Sequence, residues 1–305
     1  MSLNTIEYAT LLQKKLDEKA VTGLTSGWMD ANAGQVVYNG GNKIKMPLIE
    51  TSGLKDYDRD GGYPAGSVTL KYEEYTMDMD RSTSFLLDAM DVDESNFIAN
   101  ATSVSNTFQK EQVIPEVDAY RYSKCYALLS EGKRKTAYKA AEDTVFDRLM
   151  EDISGIRDEI DEEAPLLISI AGKVKTMLER NEKFKKIINV ADFKAGAISL
   201  RINQFDNNYL RPVPSSRMKT AYVFKDGITD GEKEGGFAPA ESAGQINWII
   251  LPQTAPIAVT KQDKMKIIDP DTYQKADAWF IGYRRYHELW LPKDRYKKCL
   301  VNAEV

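Results

Sequence analysis

The sequence predicts an α+β fold, and three stretches of the chain carry that prediction. Apolar and polar residues alternate over residues 67–79, with the period of a half-buried strand. Apolar residues then recur every three or four positions over residues 97–128, with the period of an amphipathic helix. Strand-like alternation returns over residues 246–301. A long extended segment that leads into a long helix is an unusual plan for an enzyme and suits a protein that reaches its neighbours.

Composition indicates a globular protein. The chain has 305 residues, of which 42% are hydrophobic and 29% charged, so it is too apolar to remain disordered. The net charge of −5 argues against a dedicated nucleic-acid-binding protein, which would carry a basic surface. The two cysteines, Cys125 and Cys299, have no CxxC partner, so zinc and redox motifs are absent from the sequence. We expect both thiols to be small buried hydrophobic groups.

The sequence carries no signal for a membrane or for secretion. No apolar run approaches the roughly 20 residues that a membrane helix needs. The first 20 residues mix both charges and lack the apolar core of a signal peptide. We therefore expect a soluble protein that is made in the cytoplasm.

The first third of the chain predicts a helix, an arm and a long hairpin. Residues 4–20 have a helical pattern, and residues 21–42 are rich in Gly, Asn and Thr and predict an extended arm. In such an arm Trp28 is expected to anchor onto another surface. Residues 43–50 alternate like a strand and, with residues 67–79, predict a hairpin around a long loop. The alternation slips by one residue after Glu74, which predicts a bulge or bend.

The middle of the chain predicts helices followed by mixed structure. The long helix is expected to begin near residue 93 and to be interrupted at Pro115. A second helix is predicted over residues 145–160. After Pro165 the run LLISI fits either a buried strand or a helix, and we favour a strand followed by a helix over 173–180.

The last part of the chain predicts mainly strands. Residues 198–202 alternate and precede a turn at residues 206–208, and residues 226–244 have the composition of an irregular loop. Further strands are predicted near residues 246–250, 257–259, 277–290 and 296–301. The changes of pattern near residues 160–165 and 245–250 predict a domain that is inserted into a discontinuous one.

The sequence offers little support for catalysis. His287 is the only histidine, so any Ser/His/Asp or Cys/His site would need it, and a zinc HExxH motif is impossible. It lies in a predicted strand and is expected to make an ordinary hydrogen bond there. No GxSxG, GxGxxG or GxxxxGK[ST] motif is present. We therefore expect no catalytic residue, no cofactor and no enzymatic activity.

One loop partly matches a calcium-binding pattern. Asp56, Asp58 and Asp60 precede Gly61 with the spacing that opens an EF-hand loop. The twelfth position is Ser67, where that loop needs a bidentate glutamate. Strands rather than helices flank the loop, so a solvated hairpin tip is the favoured interpretation and calcium binding the alternative. No metal site is assigned.

Two charged runs have simple interpretations. The acidic run is expected to cap a helix and to form a solvated face; its members are Asp78, Asp80, Asp88, Asp91, Asp93 and Glu94. The basic run GKRKTAYK at 132–139 could contact phosphate, and a contact with the acidic face of a neighbouring copy fits it at least as well.

The order of these segments resembles the major capsid proteins of tailed double-stranded-DNA bacteriophages, which have the Hong Kong 97-type coat fold. The stretches that carry the resemblance are GGYPAGSVTLKYEEYTMDMDRSTSFLLDAMDVDESNF, VIPEVDAYRYSK and ADAWFIGYRRYHELWL. The resemblance implies an N-terminal arm (1–40), an extended loop (41–80), a peripheral domain with the spine helix (81–161), an axial domain (162–245) and returning peripheral strands (246–305).

The resemblance also implies a role. Many copies would form hexamers and pentamers that close into an icosahedral shell around phage DNA, which they would enclose without sequence-specific binding. Some members of the family cross-link a loop lysine to a neighbour, and here Lys55 and Lys71 are the loop lysines, with nothing that marks them for this reaction. A separate scaffolding protein and a portal are the expected partners, and the virion, assembled in the bacterial cytoplasm, is the expected location.

Three other functions compete with this one. An encapsulin-type shell shares the fold but encloses a cargo enzyme. A calcium-binding surface or adhesion protein would use the loop at Asp56–Gly61 instead. An enzyme of unrecognised type is the third, and the scarcity of histidine and the missing motifs weigh against it.

Overall fold

The computed structural model describes residues 23–35, 37–38, 42–57, 59–88, 90, 104–160, 165–185, 189–195 and 198–304. The predicted helix over 4–20 and the predicted start of the long helix near residue 93 lie outside these ranges. None of the helices within them has the length and apolar character that a membrane crossing requires.

The described residues form the following strands: β1 (Val37–Tyr38), β2 (Lys43–Thr51), β3 (Val68–Thr76), β4 (Met79–Asp88), β5 (Lys135–Ala137), β6 (Leu166–Ala171), β7 (Asn189–Ala195), β8 (Ile198–Phe205), β9 (Asn208–Val213), β10 (Tyr222–Phe224), β11 (Phe237–Pro239), β12 (Ile246–Pro252), β13 (Ile257–Ile268), β14 (Ala278–Trp290) and β15 (Leu300–Ala303). The α-helices are α1 (Ile114–Glu131), α2 (Val145–Arg157), α3 (Gly172–Arg180) and α4 (Glu182–Lys185). Short 3-10 helices span Gly27–Gln35, Ser215–Arg217 and Lys293–Lys298.

The strands form two principal sheets. Within the described ranges, the larger sheet has seven strands in the order β5-β15-β12-β6-β9-β8-β7, with parallel pairs at β15–β5 and β6–β9. A smaller antiparallel sheet has the order β13-β14-β4. The larger sheet contains strands from inside and from outside the predicted axial domain (162–245). The sheet therefore does not separate the predicted domains, and the limits at residues 162 and 245 stay a prediction.

The central strands of the large sheet are buried on both faces. Every residue of β6 and of β12 is buried. A strand that is covered on both sides needs no polar face, so its sequence is a continuous apolar run rather than an alternating one. This explains why LLISI fitted two interpretations, and the structure confirms the strand followed by a helix.

Helix α1 connects the cores of the two sheets. Ile114 and Val117 at its N-terminal end, and Val113 just before it, belong to the apolar cluster of the small sheet, with Ile281 and Tyr283 of β14. Tyr122, Cys125 and Leu129 further along belong to the cluster of the large sheet. One helix therefore contributes to both cores.

Pro115 changes the helix without ending it. Residues 104–108 are helical, Gln109–Val113 form a π-helical segment, and α1 continues from Ile114. Proline has no N–H to donate and its ring crowds the carbonyl four residues earlier. A π-helical segment immediately before it accommodates this crowding, so the predicted interruption is a local widening.

The segment before β1 is not an extended arm over its described part. Gly27–Gln35 form a 3-10 helix, and Trp28 is only 1% exposed within the core of the large sheet. Trp28 is an anchor, as predicted, but the surface that it packs against belongs to the same chain. The prediction of an extended segment here was wrong, because glycine-rich composition does not reveal that buried partners will hold the segment.

Two side chains of α1 hold this segment in place. Asp118, which is fully buried, accepts hydrogen bonds from the backbone N–H and the hydroxyl of both Thr25 and Ser26, at 2.6–3.1 Å. It also receives the guanidinium of Arg217 at 2.9 Å. Arg121, equally buried, donates to the carboxylate of Asp30 at 2.7 and 3.0 Å.

Other predicted elements are correct in kind and differ in extent. Helix α2, strands β2 and β14, and the turn at residues 206–208 agree with the predictions. The strand predicted over 67–79 divides at residues 77–78, and β4 continues to Asp88. The bulge or bend expected after Glu74 is absent, because β3 keeps an unbroken register with β2 from Val68 to Thr76. The predicted strand over 296–301 is wrong in its first half, which is part of the 3-10 helix Lys293–Lys298. Strand β7 and most of β13 were not predicted.

We expect Asp118→Asn to lower the free energy of unfolding by roughly 3–5 kcal/mol, because a neutral amide leaves buried donors and Arg217 without their carboxylate. Urea denaturation followed by circular dichroism measures this. The control is Glu179→Gln, which removes an exposed pair with Lys175 and should change stability by less than about 0.5 kcal/mol. A loss below about 1 kcal/mol in Asp118→Asn would contradict the proposed anchoring.

Candidate functional site

The hairpin formed by β2 and β3 is the strongest candidate for a functional surface. The two strands pair in register over nine positions, from Lys43 opposite Thr76 to Thr51 opposite Val68. Residues 52–67 connect them, and the backbone N–H of Ser67 donates to the hydroxyl of Ser52 at 2.9 Å. Strand β1 adds a third strand at the base, opposite Ile44 and Lys45. The rest of the hairpin is a two-stranded ribbon, which buries little surface by itself, so its stability depends on what it packs against.

The base of the hairpin packs on the body of the same chain. Ile44, Met46 and Met77 form a buried apolar cluster with Ile257 of β13 and Trp290 of β14. Two side chains of β14 reinforce this cluster through the hairpin backbone. The hydroxyl of Tyr286 donates to the carbonyl of Met77 at 2.8 Å, and the indole N–H of Trp290 donates to the carbonyl of Thr76 at 3.4 Å.

A buried carboxylate marks the point where the hairpin joins the body. Glu288 of β14 is fully buried and accepts a hydrogen bond from the backbone N–H of Asp78 at 3.0 Å. It also accepts the hydroxyl of Tyr120 from α1, and the ammonium of Lys124 lies 3.7 Å away. Burial, and then the charge of Glu288, raise the pKa of Tyr120 far above its ordinary value, so the phenol stays a hydrogen-bond donor. The direction of the hairpin is therefore set by α1 and β14 together.

The distal part of the hairpin is apolar and exposed. Twelve large hydrophobic residues of the described chain are exposed, and seven of them lie in this hairpin: Ile49, Leu54, Tyr57, Tyr63, Val68, Leu70 and Tyr72. Tyr57 and Tyr63 contact each other edge to face at the tip, with ring centroids 5.5 Å apart. Such a concentration of apolar side chains on a projecting ribbon is typical of a surface that another molecule covers.

His287 has the surroundings of a structural residue. It is 2% exposed, packs edge-on against the ring of Tyr120 at 5.4 Å, and its Nδ1 makes no hydrogen bond with the described residues. The expected ordinary hydrogen bond is therefore not seen at Nδ1. Burial, together with the nearby guanidinium groups of Arg285 and Arg121, holds its pKa well below the usual value. A catalytic histidine base is normally oriented by a carboxylate. The charged groups that shift the pKa of His287 are cations instead, so its surroundings differ from those of such a base.

His287 also lines a cleft of about 630 Å³ between β4, α1 and the loop at residues 225–236. Arg81 closes one side of this cleft, because its guanidinium pairs with Glu116 at 2.8 Å and donates to the carbonyls of Lys225 and Gly236 at 2.5 and 3.0 Å. The loop is thereby held on α1. The guanidinium of Arg81 therefore binds other parts of the same chain.

The calcium hypothesis gains no support from the described residues. Asp56, Asp60 and Gly61 are exposed, and Asp58 lies outside the described ranges. Among the residues that the structure describes, no three His, Cys, Asp or Glu side chains are grouped as a metal site would require. The twelfth residue of the pattern, Ser67, closes the hairpin loop through Ser52.

The acidic run serves several local purposes. The backbone of Asp78 binds Glu288, and the Asp80 carboxylate pairs with the guanidinium of Arg284 at 2.6 and 2.9 Å, which lowers its pKa. Asp88 accepts the backbone N–H of Met90 at 2.9 Å. The predicted capping residues Asp91, Asp93 and Glu94 lie outside the described ranges.

The basic run at 132–139 is partly used within the chain. Arg134 pairs with Glu159 at 2.9 Å and donates to the carbonyls of Lys297 and Cys299. Lys135 lies over the ring of Tyr126. The acidic partner that was predicted on a neighbouring copy is, for Arg134, supplied by Glu159, which follows α2 in the same chain. In the hairpin, Lys55 donates to the carbonyl of Ala65 at 2.8 Å.

Both cysteines lie in the core as predicted. Cys125 and Cys299 are free thiols with no exposed surface. Burial raises the pKa of Cys125 to about 12 and also raises that of Cys299. Thiols in this state are inert, because the reactive species is the thiolate.

Comparison with known proteins identifies the fold. No family model matches the sequence, and no curated protein matches it. Solved structures do match. The mature capsid of bacteriophage PhiM1 has a TM-score of 0.56 at 10% identity, covering 88% of this chain and 84% of that one. The capsid of cyanophage P-SCSP1u has a TM-score of 0.53 at 10% identity, covering 88% of this chain and 85% of that one.

A virus-like particle from Pyrococcus furiosus matches over nearly the whole length. Its TM-score is 0.54 at 12% identity, and the match covers 97% of this chain and 99% of that one. Similarity at these identities shows the fold, and the chain therefore has the mixed helix-and-sheet fold of phage capsid structures. The resemblance found in the sequence is confirmed at the level of the fold.

The surroundings of His287 predict a specific loss of stability in acid. The unfolded chain binds the proton near the ordinary pKa of about 6.5, whereas the folded chain resists it, so acid favours unfolding. Below about pH 6.5 this residue should cost up to about 1.4 kcal/mol per pH unit until the folded chain also takes up the proton. His287→Phe, which keeps a ring against Tyr120, should lack this component.

Urea unfolding of both proteins at pH 7, 6 and 5 measures the difference. Carboxylates elsewhere in the chain contribute equally to both proteins and cancel in the comparison. Equal losses in the two proteins between pH 7 and pH 5 would show that His287 titrates normally in the folded state.

Proposed function

We propose that this chain is the major capsid protein of a tailed bacteriophage and assembles, through hexamers and pentamers, into an icosahedral shell that encloses double-stranded DNA. The observation that carries the proposal is a projecting hairpin whose distal half exposes apolar side chains, on a chain with a phage capsid fold. In this proposal the hairpin is the extended loop of such proteins, α1 is the spine helix, and residues 162–245, which supply the strands β6 to β9 of the large sheet, are the axial domain. The net charge of −5 suits a shell that does not grip its DNA tightly.

The chain's chemistry supports a structural role. The buried titratable groups described above hold segments of the fold together, as Asp118 does for residues 25–26 and Glu288 does for the hairpin. Catalytic sites instead bring such groups to a cleft with a nucleophile or base that can reach a substrate. We assign no catalytic residue, cofactor or metal. A separate scaffolding protein and a portal are the proposed partners, and the virion is the proposed location.

An encapsulin-type shell is the second candidate. The match to the virus-like particle from Pyrococcus furiosus, which covers almost all of both chains, favours it. The two candidates share an assembled shell and differ in contents. Genes for a portal and a terminase beside this one would support the phage, and a gene for a cargo enzyme would support the encapsulin.

The purified recombinant chain should form closed particles, rings or sheets. Negative-stain electron microscopy and size-exclusion chromatography test this, with crowding agent or co-expressed scaffolding protein added if particles do not form. A chain that remains a monomer in all these conditions would overturn the proposal.

Replacing residues 52–67 by Asn-Gly should abolish closed particles and leave the monomer folded. A two-residue loop of this type joins antiparallel strands directly, so β2 and β3 can still pair while the exposed tip is lost. Circular dichroism and thermal melting of the shortened chain provide the folding control. Particles of normal size from the shortened chain would show that the tip has no part in assembly.

A further inference from the structure

Two basic runs that are far apart in the sequence lie together in the fold. The first is residues 132–139 (GKRKTAYK), and the second is residues 293–298 (KDRYKK). Together they carry eight lysine and arginine side chains and one acidic side chain, that of Asp294, in a chain whose net charge is −5. We call the surface formed by these two runs the basic patch.

Arg134 and Tyr296 join the two runs. The guanidinium of Arg134 donates to the carbonyl of Lys297 at 2.5 Å and to that of Cys299 at 3.1 Å. The ring of Tyr296 packs against Gly132, in the space that a β-carbon would occupy. Because only glycine leaves room for this ring, the second run packs directly on the end of α1.

Most of the cations in the patch are exposed lysines without an acidic partner. The exposed ones are Lys133, Lys135, Lys139, Lys293, Lys297 and Lys298. None of these six forms an ion pair with a carboxylate of the described residues. Like charges on one surface repel each other, so a polyanion that covers them is favoured by every lysine that it contacts.

Lys133 has a backbone conformation that usually belongs to glycine. It follows Gly132 at the C-terminal end of α1, and its φ is 56°. Helices commonly place glycine at this left-handed position, because a β-carbon there costs free energy. The chain holds a lysine instead and so keeps a positive charge at a position that disfavours it. Such a strained position indicates that the ammonium has a use outside the fold.

The carboxylates of α2 distinguish the two partners that the sequence left open. A neighbouring copy would offer the acidic face of α2 to the patch, but much of that face is engaged within its own chain. Asp147 pairs with Lys183 at 2.9 Å, and Glu151 pairs with Arg148 at 3.0 Å. A polyanion whose charges are not engaged in this way is the better partner. Lysine and tyrosine side chains are common phosphate contacts, which favours a nucleic acid.

We propose that the basic patch binds the phosphate backbone of double-stranded DNA and marks the surface of the chain that faces the contents of the shell. The inference rests on the proposed shell function, because that function supplies DNA as the polyanion. A lysine ammonium is a point charge that contacts phosphates without reading bases, so the binding is independent of DNA sequence. It weakens steeply with salt, because each contact releases a counterion.

Neutralising the patch should weaken DNA binding and reduce its dependence on salt. The patch variant carries Lys135→Gln, Lys297→Gln and Lys298→Gln. It should bind a labelled duplex of about 30 base pairs at least ~10-fold more weakly at about 0.1 M salt. The slope of log K against log salt should fall by roughly 2–3, since each lost phosphate contact removes about 0.9. Fluorescence anisotropy measures both, below the protein concentration at which sedimentation velocity detects assembly.

A matched control removes the same charge elsewhere. It carries Lys264→Gln, Lys266→Gln and Lys275→Gln, three exposed lysines of β13 and the segment that follows it. This variant should bind DNA within about twofold of the wild-type chain, because its lysines lie outside the patch. Two duplexes of unrelated sequence should bind the wild-type chain equally well.

A single substitution separates the charge of the patch from the stability of the fold. Lys133→Gly removes one ammonium and relieves the left-handed conformation. It should melt at or above the wild-type temperature and lower the salt slope by about 0.9. A Lys133→Gly chain that keeps the full slope would remove Lys133 from the patch.

The outcomes separate this inference from the proposed function. A patch variant that binds DNA as well as the wild-type chain, or a control that loses as much affinity, would overturn the patch. Closed particles from the control but not from the patch variant would assign these lysines to a contact between copies, and would also overturn it. DNA binding at the patch by a chain that never forms particles would support the inference and contradict the shell. Wild-type particles without DNA binding by the unassembled chain would do the reverse.

Discussion

Two buried, oppositely charged side chains about one helical turn apart hold this structure together. Asp118 and Arg121 of α1 bind residues 25–30 on one side of the helix, while neighbouring positions of the same helix enter the cores of both sheets. Each charge has a partner, since Arg217 and Asp30 neutralise them. Charges that are buried in this way cost much less than unpaired ones and specify one arrangement of the groups around them.

The hairpin depends on that arrangement. Tyr120 and Lys124 lie on the same helix and converge on Glu288, which in turn binds the backbone where β3 passes into β4. The position of α1 between the two sheets therefore also sets the direction of the ribbon. If such a ribbon were free to change direction, its exposed apolar residues could associate with many different surfaces. A fixed direction restricts it to partners that approach from one side.

The predictions succeeded where local pattern and burial agree. Apolar residues recur at every second position along parts of strands β2, β3 and β14 and at every third or fourth position along helix α2, so periodicity identified these elements. They failed where tertiary contacts override composition. The segment around Trp28 looked like a free arm because its glycines and polar residues are typical of loops, and Asp118, ninety residues away, holds it in a 3-10 helix. Strand β7 was not predicted, and the last strand begins at Leu300 rather than at the predicted Tyr296.

The sequence by itself determined the order of elements, the apolar hairpin and the likeness to phage capsid proteins, because these reside in local periodicity and composition. Only the tertiary structure decided which face of the hairpin the body of the chain leaves uncovered. Alternation places Ile44, Met46 and Leu48 on one face of β2 and Ile49 on the other, and it does not say which face the body of the chain will cover. That depends on Ile257 and Trp290, more than two hundred residues later, and contacts between such distant residues are set by the packing of the whole chain.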